Sequence, residues 1–353
     1  MNDPARVLAD ARGGERIAPL ERSTFLSFKS RLVKGAAAAV AAVMATGLMA
    51  GAAEAKPSAQ TWFIDSCGMP SQSGGGHNKV KVRAWTRPQN RKTVVLLDGL
   101  RATNNKSGWE DRTTVGPDLA AKGVNVVQPV GGYMSFYTDW NTPDNFSNQG
   151  YRYRWNCVIT KSLVRAMDGH GLRGPSGHYA IMGLSMSGGS ALMIAANNRR
   201  NFDAAGSLSG LPALSVPGMH TAIRAAMLFP ALDGGTPAMN ADAMWGPPWN
   251  VRWYENDPLA QVGRFHGLKL FLSTGSGIPG YTATPQALLN NPMLLIQGAP
   301  LELLASSQTH LFDLATTVAG IPHKTYYPVT GLHDWEYWRD AVWNAYHQGF
   351  FRA

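Results

Sequence analysis

The chain has 353 residues, a formal net charge of +9, 44% hydrophobic residues and only 16% charged ones. That balance excludes a disordered or coiled-coil protein, and the abundance of glycine, proline and tryptophan describes a compact, loop-rich enzyme of the extracellular kind. The positive residues are scattered and form no long run, so nothing marks a nucleic-acid stripe; a merely basic surface and a loose attraction to an anionic envelope both fit.

Residues 1–34 are polar and charged, ending in Lys29, Arg31 and Lys34, and residues 35–53 are almost entirely Ala, Val, Met, Leu and Gly. Ala53-Glu54-Ala55 fits the small-x-small cleavage pattern, which predicts an export signal over residues 1–55 and a mature start at Lys56. A membrane anchor is the competing reading, but the run is alanine-rich and weakly hydrophobic. No twin-arginine pair precedes it, which points to the general secretory route. Export makes the surroundings oxidising, so Cys67 and Cys157 either form the single intrachain bridge open to them or remain two buried thiols. Neither sits in a Cys-x-x-Cys or beside a His-Glu-x-x-His, and no metal or organic cofactor is expected. The remaining chain suits one large domain, residues 56–353, with a covering insertion.

Lys79–Trp85 alternates polar and apolar residues, as a half-buried antiparallel strand does. Residues 93–101 are an apolar strand running into a loop, residues 124–130 a third strand, and residues 156–168 a helix. Further strands are predicted at residues 179–182, 204–210, 268–274 and 324–329, with helices between most of them. This alternation implies an α/β fold with a mainly parallel sheet covered on both faces and its functional loops at the carboxyl ends of the strands. Residues 211–267 exceed what one crossover needs and are expected to form a lid or cleft wall. Met219, Ile223, Met227 and Leu228 lie there at helical spacing, as acyl-groove or ordinary core residues; Trp245, Trp249 and Trp253, with Trp335, either stack on sugar rings or pack.

The most informative stretch is Tyr179–Asn198: a short apolar strand, the turn Gly183-Leu-Ser-Met-Ser187, and small and apolar residues at helical spacing. A serine in a sharp strand-to-helix turn is the nucleophile-elbow arrangement, in which the N–H of the next residue helps bind an oxyanion. Read alone it could also be a glycine-rich connection without chemistry. With Ser185 as nucleophile, a base and an orienting acid are needed further along the chain. His333 follows the last predicted strand and is the best base, because His310 lies inside a predicted helix, His323 precedes that strand and His347 lies in the last helix. Glu302, just past Pro300 at a helix start, is the expected acid, and Asp257 its rival, more readily read as a turn aspartate before Pro258. The backbone N–H groups of Met186 and Leu100 are the expected oxyanion donors. Asp98 and Arg101 flank Leu100 and either pair with each other or line the cleft.

The loop Leu96-Leu-Asp-Gly-Leu-Arg-Ala102, the elbow and the ending His333-Asp-Trp-Glu-Tyr-Trp338 resemble the antigen 85-type mycolyltransferases, with further matches at Ser107-Gly-Trp109, Pro129-Val-Gly-Gly132, Ser135–Trp140, Ala205–Ser209, Met244–Pro247 and Asn256-Asp-Pro258. The resemblance implies the α/β-hydrolase fold, secretion to the cell envelope, and transfer of a mycolyl group from trehalose monomycolate to a second trehalose ester or to cell-wall arabinan. It implies Ser185, Glu302 and His333 as the catalytic set, Leu100 and Met186 as the oxyanion hole, and Asp98, Arg101 and Trp335 at the trehalose site. No nucleic acid and no stable protein partner are expected. The chain departs from the family at Thr103-Asn-Asn105, Ser187, Thr274 and Asp334 and lacks a cysteine pair found in some members; residues 114–124 are unlike the part associated with fibronectin binding, and that activity is not carried over. A secreted carboxylesterase on the same fold, or an envelope-binding protein that keeps the fold without the chemistry, are the rival readings.

Overall fold

The computed structural model describes residues 55–72, 75–228 and 237–352. The expected export signal lies outside the described residues apart from Ala55. Eight strands build one sheet: β1 (Gln60–Asp65), β2 (Lys79–Trp85), β3 (Lys92–Leu97), β4 (Val124–Pro129), β5 (Tyr179–Leu184), β6 (Phe202–Leu208), β7 (Lys269–Ser273) and β8 (His323–Tyr326). Their spatial order is β1-β2-β4-β3-β5-β6-β7-β8. β1, β2 and β4 pair antiparallel, and every pairing from β4 through β3 to β8 is parallel. This is the mainly parallel sheet expected from the alternation of strands and helices, in the α/β-hydrolase architecture that the resemblance implies.

The helices are α1 (Gly108–Arg112), α2 (Val115–Ala121), α3 (residues 155–169), α4 (Met186–Asn197), α5 (Met219–Leu228), α6 (Ala241–Trp245), α7 (Val251–Glu255), α8 (Pro285–Asn290), α9 (Met293–Ile296), α10 (Gly298–Val318) and α11 (Trp335–His347). The central strands are buried on both sides, so their residues feed two cores in turn. Val95, Leu97, Ile181, Leu270 and Leu272 belong to the core that also takes in α3, α4 and Phe312 of α10. Val94, Leu96, Ala180, Met182 and Phe271 face Trp109, Leu119, Val342 and Phe350.

Differences from the predicted elements have local causes. β1 has no predicted counterpart: it is an edge strand with Phe63 44% exposed, so its apolar pattern is weak. β3 stops at Leu97, because Ala102 N–H donates to Gly99 C=O and closes a turn at 3.2 Å. The predicted helix at 156–168 holds a π-helical stretch, Val158–Leu163, between its α-helical ends. Cys67 and Cys157 form a disulfide with Cα atoms 6.2 Å apart, which fastens the β1–β2 connection to the start of α3. Because it closes a loop of sequence separation 90, its replacement by two serines should lower stability by about 2–5 kcal/mol. Urea unfolding with and without reductant reads this: the reduced wild type should fall to the midpoint of the double variant, whereas an unchanged midpoint would show that the bridge constrains nothing.

Candidate active site

Four neighbouring parallel strands, β3, β5, β6 and β7, end almost level. Leu97 pairs with Gly183, Leu184 with Leu208, and Leu208 with Ser273. The residues that follow them, Asp98, Ser185, Ser209 and Thr274, therefore emerge in a row along one edge of the sheet. In an open parallel sheet this carboxyl edge is where ligands bind.

Ser185 has φ 52° and ψ −123°, a strained conformation for a residue with a side chain. The surroundings hold it there. Its N–H donates to Leu208 C=O at 2.9 Å, and its C=O accepts from Gly188 N–H at 3.0 Å. Gly183 must be a glycine: a Cβ there would lie 2.2 Å from the Ser187 carbonyl oxygen. Ser187, the departure at the end of the elbow motif, has a structural use. Its buried hydroxyl accepts from Leu184 N–H at 3.0 Å and can donate to the carbonyl of Leu184 or Leu97, 3.0 and 3.2 Å away. A glycine could not make these bonds.

Glu302 and His333 meet as expected: His333 Nδ1 lies 2.7 Å from Glu302 Oε2. Glu302 is fully buried, and its other oxygen accepts from Ser209 Oγ at 2.7 Å, Thr274 Oγ1 at 3.0 Å and Gly275 N–H. Burial alone would raise its carboxyl pKa, but the bond and charge of His333, with Ser209 and Gly275, outweigh it and hold the group below its ordinary value. The helix start invoked from sequence is a lesser matter, since Glu302 is already past the first turn of α10, which has no acidic residue. Trp338 Nε1 donates to Ser209 Oγ at 3.0 Å, and the His333 ring stands edge-on to Trp338 with centroids 4.9 Å apart.

The two expected oxyanion donors are oriented by their neighbours. Gly99 C=O accepts from Ala102, so across the planar trans peptide the Leu100 N–H points the other way, and it has no hydrogen-bond partner among the described residues. Met186 opens α4, where an N–H has no carbonyl one turn back to donate to. Ser185, Met186, Leu100 and His333 line one cavity of about 530 Å³. The loop and helix at residues 98–112 give its wall Asp98, Arg101, Lys106, Asp111 and Arg112. Met219, Ala222, Ile223 and Ala226 of α5, with Leu301 and Leu304 of α10, give it an apolar wall.

Asp98 is buried against the start of α1, accepting from Gly108 N–H at 3.0 Å and Ser107 Oγ at 3.2 Å. Trp335 lines the cavity beside it and stands edge-on to Trp109 and Trp338. Arg101 also lines the cavity and is exposed. The rival acid Asp257 is buried elsewhere, accepting from the N–H groups of Ser215 and Leu259 as a turn aspartate. His323 contacts Asp313, and exposed His310 lies tilted against the Tyr327 ring; neither lines the cavity. Of the 211–267 segment, Leu211 and α5 form cleft wall, whereas Trp245 and Trp253 are core residues packed edge to face. Trp249 is exposed and outside the cavity. Sequence reasoning missed Ser209, Gly275 and Trp338; a serine just past the strand beside the elbow strand was the available signal for Ser209. No group of three His, Cys, Asp or Glu among the described residues could hold a metal.

The family model described as Esterase matches residues 71–347. The chain is 32% identical over 303 residues to the diacylglycerol acyltransferase/mycolyltransferase Ag85C of Mycobacterium avium, covering 85% of this chain and 80% of that protein. It is also 32% identical to Ag85B of Mycobacterium avium, over 87% of this chain and 89% of the relative. The chain belongs to the Ag85-type acyltransferase/mycolyltransferase family. It is an acyl-transferring enzyme on an esterase-type fold. The crystal structure of Mycobacterium tuberculosis MPT51 superposes with a TM-score of 0.61 at 23% identity, over 82% of this chain and 99% of that one. The serine hydrolase FphF of Staphylococcus aureus does so at 0.53 and 16% identity, over 83% of this chain and 99% of its own. Both show the shared fold. Thr274, one of the departures from the resemblance, is a hydroxyl donor to Glu302 at 3.0 Å.

Burial pushes the Asp98 carboxyl up to about 7 from an unfolded value of 3.8, against the bonds from Gly108, Ser107 and Trp109 that favour its charged form. A raised folded pKa stabilises the fold fully below the unfolded value, and that contribution is lost as pH rises through the folded one. Wild type should therefore lose melting temperature relative to Asp98→Asn between about pH 4 and pH 7. Parallel melting curves of the two proteins across that window would refute the assignment.

Proposed function

We propose that the enzyme moves a mycolyl-type, long-chain acyl group from a trehalose monoester to a second carbohydrate hydroxyl through a covalent ester on Ser185. The observation that carries this reading is the Glu302–His333 pair, whose imidazole lines the same cavity as the elbow serine, in a chain whose relatives are named mycolyltransferases.

In the first step His333 takes the Ser185 proton while Oγ attacks the ester carbonyl. The ionised Glu302 stabilises the imidazolium and keeps the ring's other nitrogen free for the serine. The oxyanion is received by the N–H groups of Leu100 and Met186. The departing trehalose takes the proton from His333. A second sugar hydroxyl then gives its proton to His333, attacks the acyl-serine and releases Ser185, so each proton taken is returned. The apolar wall of α5 and α10 would hold the acyl chain, and Asp98, Arg101 and Trp335 the sugar. Outside the cavity Leu289, Met293, Ile296 and Leu303, on α8, α9 and the start of α10, are exposed apolar residues, which suits a lipid donor.

Secretion to the envelope is supported by the export-type N-terminus and by the disulfide. No helix among the described residues is long and apolar enough to cross a membrane.

Incubation with trehalose monomycolate and lipid analysis tests the reading. Wild type should form trehalose dimycolate and incorporate a serine-directed phosphonate at Ser185. Ser185→Ala should lose turnover by about a thousandfold or more while keeping its melting temperature. Free mycolic acid as the sole product, at the same rate with and without trehalose, would instead favour a carboxylesterase. Unchanged turnover in a folded Ser185→Ala would overturn the nucleophile.

A further inference from the structure

At the amino ends of the parallel strands, opposite the cleft, the chain turns from helix or loop into strand. Cations gather there from distant parts of the sequence. Lys122 precedes β4, Arg199 and Arg200 lie between α4 and β6, Arg264 precedes β7, Lys269 opens β7, and Arg352 follows α11. All six are exposed. Contacts tie most of them to this end of the sheet, and Arg200 adjoins Arg199 in the chain. Lys269 Nζ donates to Arg352 C=O at 2.7 Å, Arg199 Nη1 donates to His266 C=O at 3.0 Å, and Arg264 reaches Asn197. Lys122 and Arg352, with His347, line one hollow of about 230 Å³.

The carboxylates at this end are already engaged: Asp168 by Arg173, Asp203 by Lys92 and Asp313 by His323. The six exposed cations, by contrast, have no ion-pair partner among the described residues. Burial lowers the pKa of the Lys92 ammonium, and Lys269 adds to that shift against the pull of Asp203. The face therefore carries uncompensated positive charge. It also has a concave point of attachment with a lysine and an arginine on its wall.

We propose that this face docks a linear polymer bearing phosphate groups, one of which enters the hollow between Lys122 and Arg352. Arginine and lysine supply the forked and point-charge donors that phosphate oxygens accept. Because the cleft opens at the opposite end of the sheet, a docked enzyme would keep its cavity free for the lipid ester. The proposal does not depend on the substrate assigned to that cavity.

The test uses the mature protein and long-chain linear polyphosphate, with binding followed by fluorescence anisotropy across a salt series. Wild type should bind with an affinity that falls linearly on a log–log salt plot. Lys269→Glu/Arg352→Glu should weaken binding by about tenfold or more and flatten the salt slope by about 2, with cleavage of a p-nitrophenyl ester unchanged. If that variant does not fold, Lys122→Glu/Arg200→Glu replaces it, since neither of these side chains makes a hydrogen bond among the described residues. Lys79→Glu/Arg152→Glu, which reverses two charges away from this face, should bind almost as wild type does. Equal weakening by that control, or no binding by wild type, would overturn the proposal. Binding to phosphatidylglycerol-containing vesicles without binding to polyphosphate would overturn it too, in favour of a lipid surface.

Discussion

A carboxylate taken out of water is tolerable only if both of its oxygens are fully bonded. Glu302 meets that condition with donors from three places: Ser209 after β6, Thr274 and Gly275 after β7, and His333 after β8. The register of those strands, the start of α10 and the return of the chain after β8 must all be right at once for this one group to be satisfied. In the proposed reaction this matters chemically, because an acid held ionised fixes the tautomer and orientation of His333. The hydroxyl of Ser209 extends the set outward to Trp338, whose ring stands against the histidine, so the first turn of α11 helps to shape the site.

The elbow is the second constraint, and it works by strain. Ser185 is kept in an unfavourable conformation by bonds to β6 and to its own helix, while Ser187 secures the turn to β5 and can reach the end of β3. The same left-handed turn that exposes the serine hydroxyl leaves the first N–H of α4 unspent. Strain, an exposed hydroxyl and an unspent N–H are thus consequences of one piece of backbone geometry.

The two ends of the sheet are specialised differently. Strand carboxyl ends carry loops whose polar groups point into a cavity with one charged and one apolar wall. Strand amino ends carry short turns whose cations remain in solvent. A parallel sheet produces this division directly, since every crossover leaves from one end and returns at the other.

The sequence by itself determined the alternation of strands and helices, the elbow serine and the histidine after the last strand. Those features depend on local pattern: apolar runs, a serine between small residues, and order along the chain. It also pointed to Glu302 as the carboxylate for His333, though by a helix-start argument, whereas the fold sets its charge through partners far away in sequence. Ser209, Gly275 and Trp338 were not legible, because nothing local marks a residue whose role is to complete another residue's hydrogen bonds. β1 was hidden because an edge strand needs only one apolar face. The basic face was hidden for the opposite reason: its charges are scattered in sequence, and only the parallel topology, by returning every crossover to the same end of the sheet, brings them together.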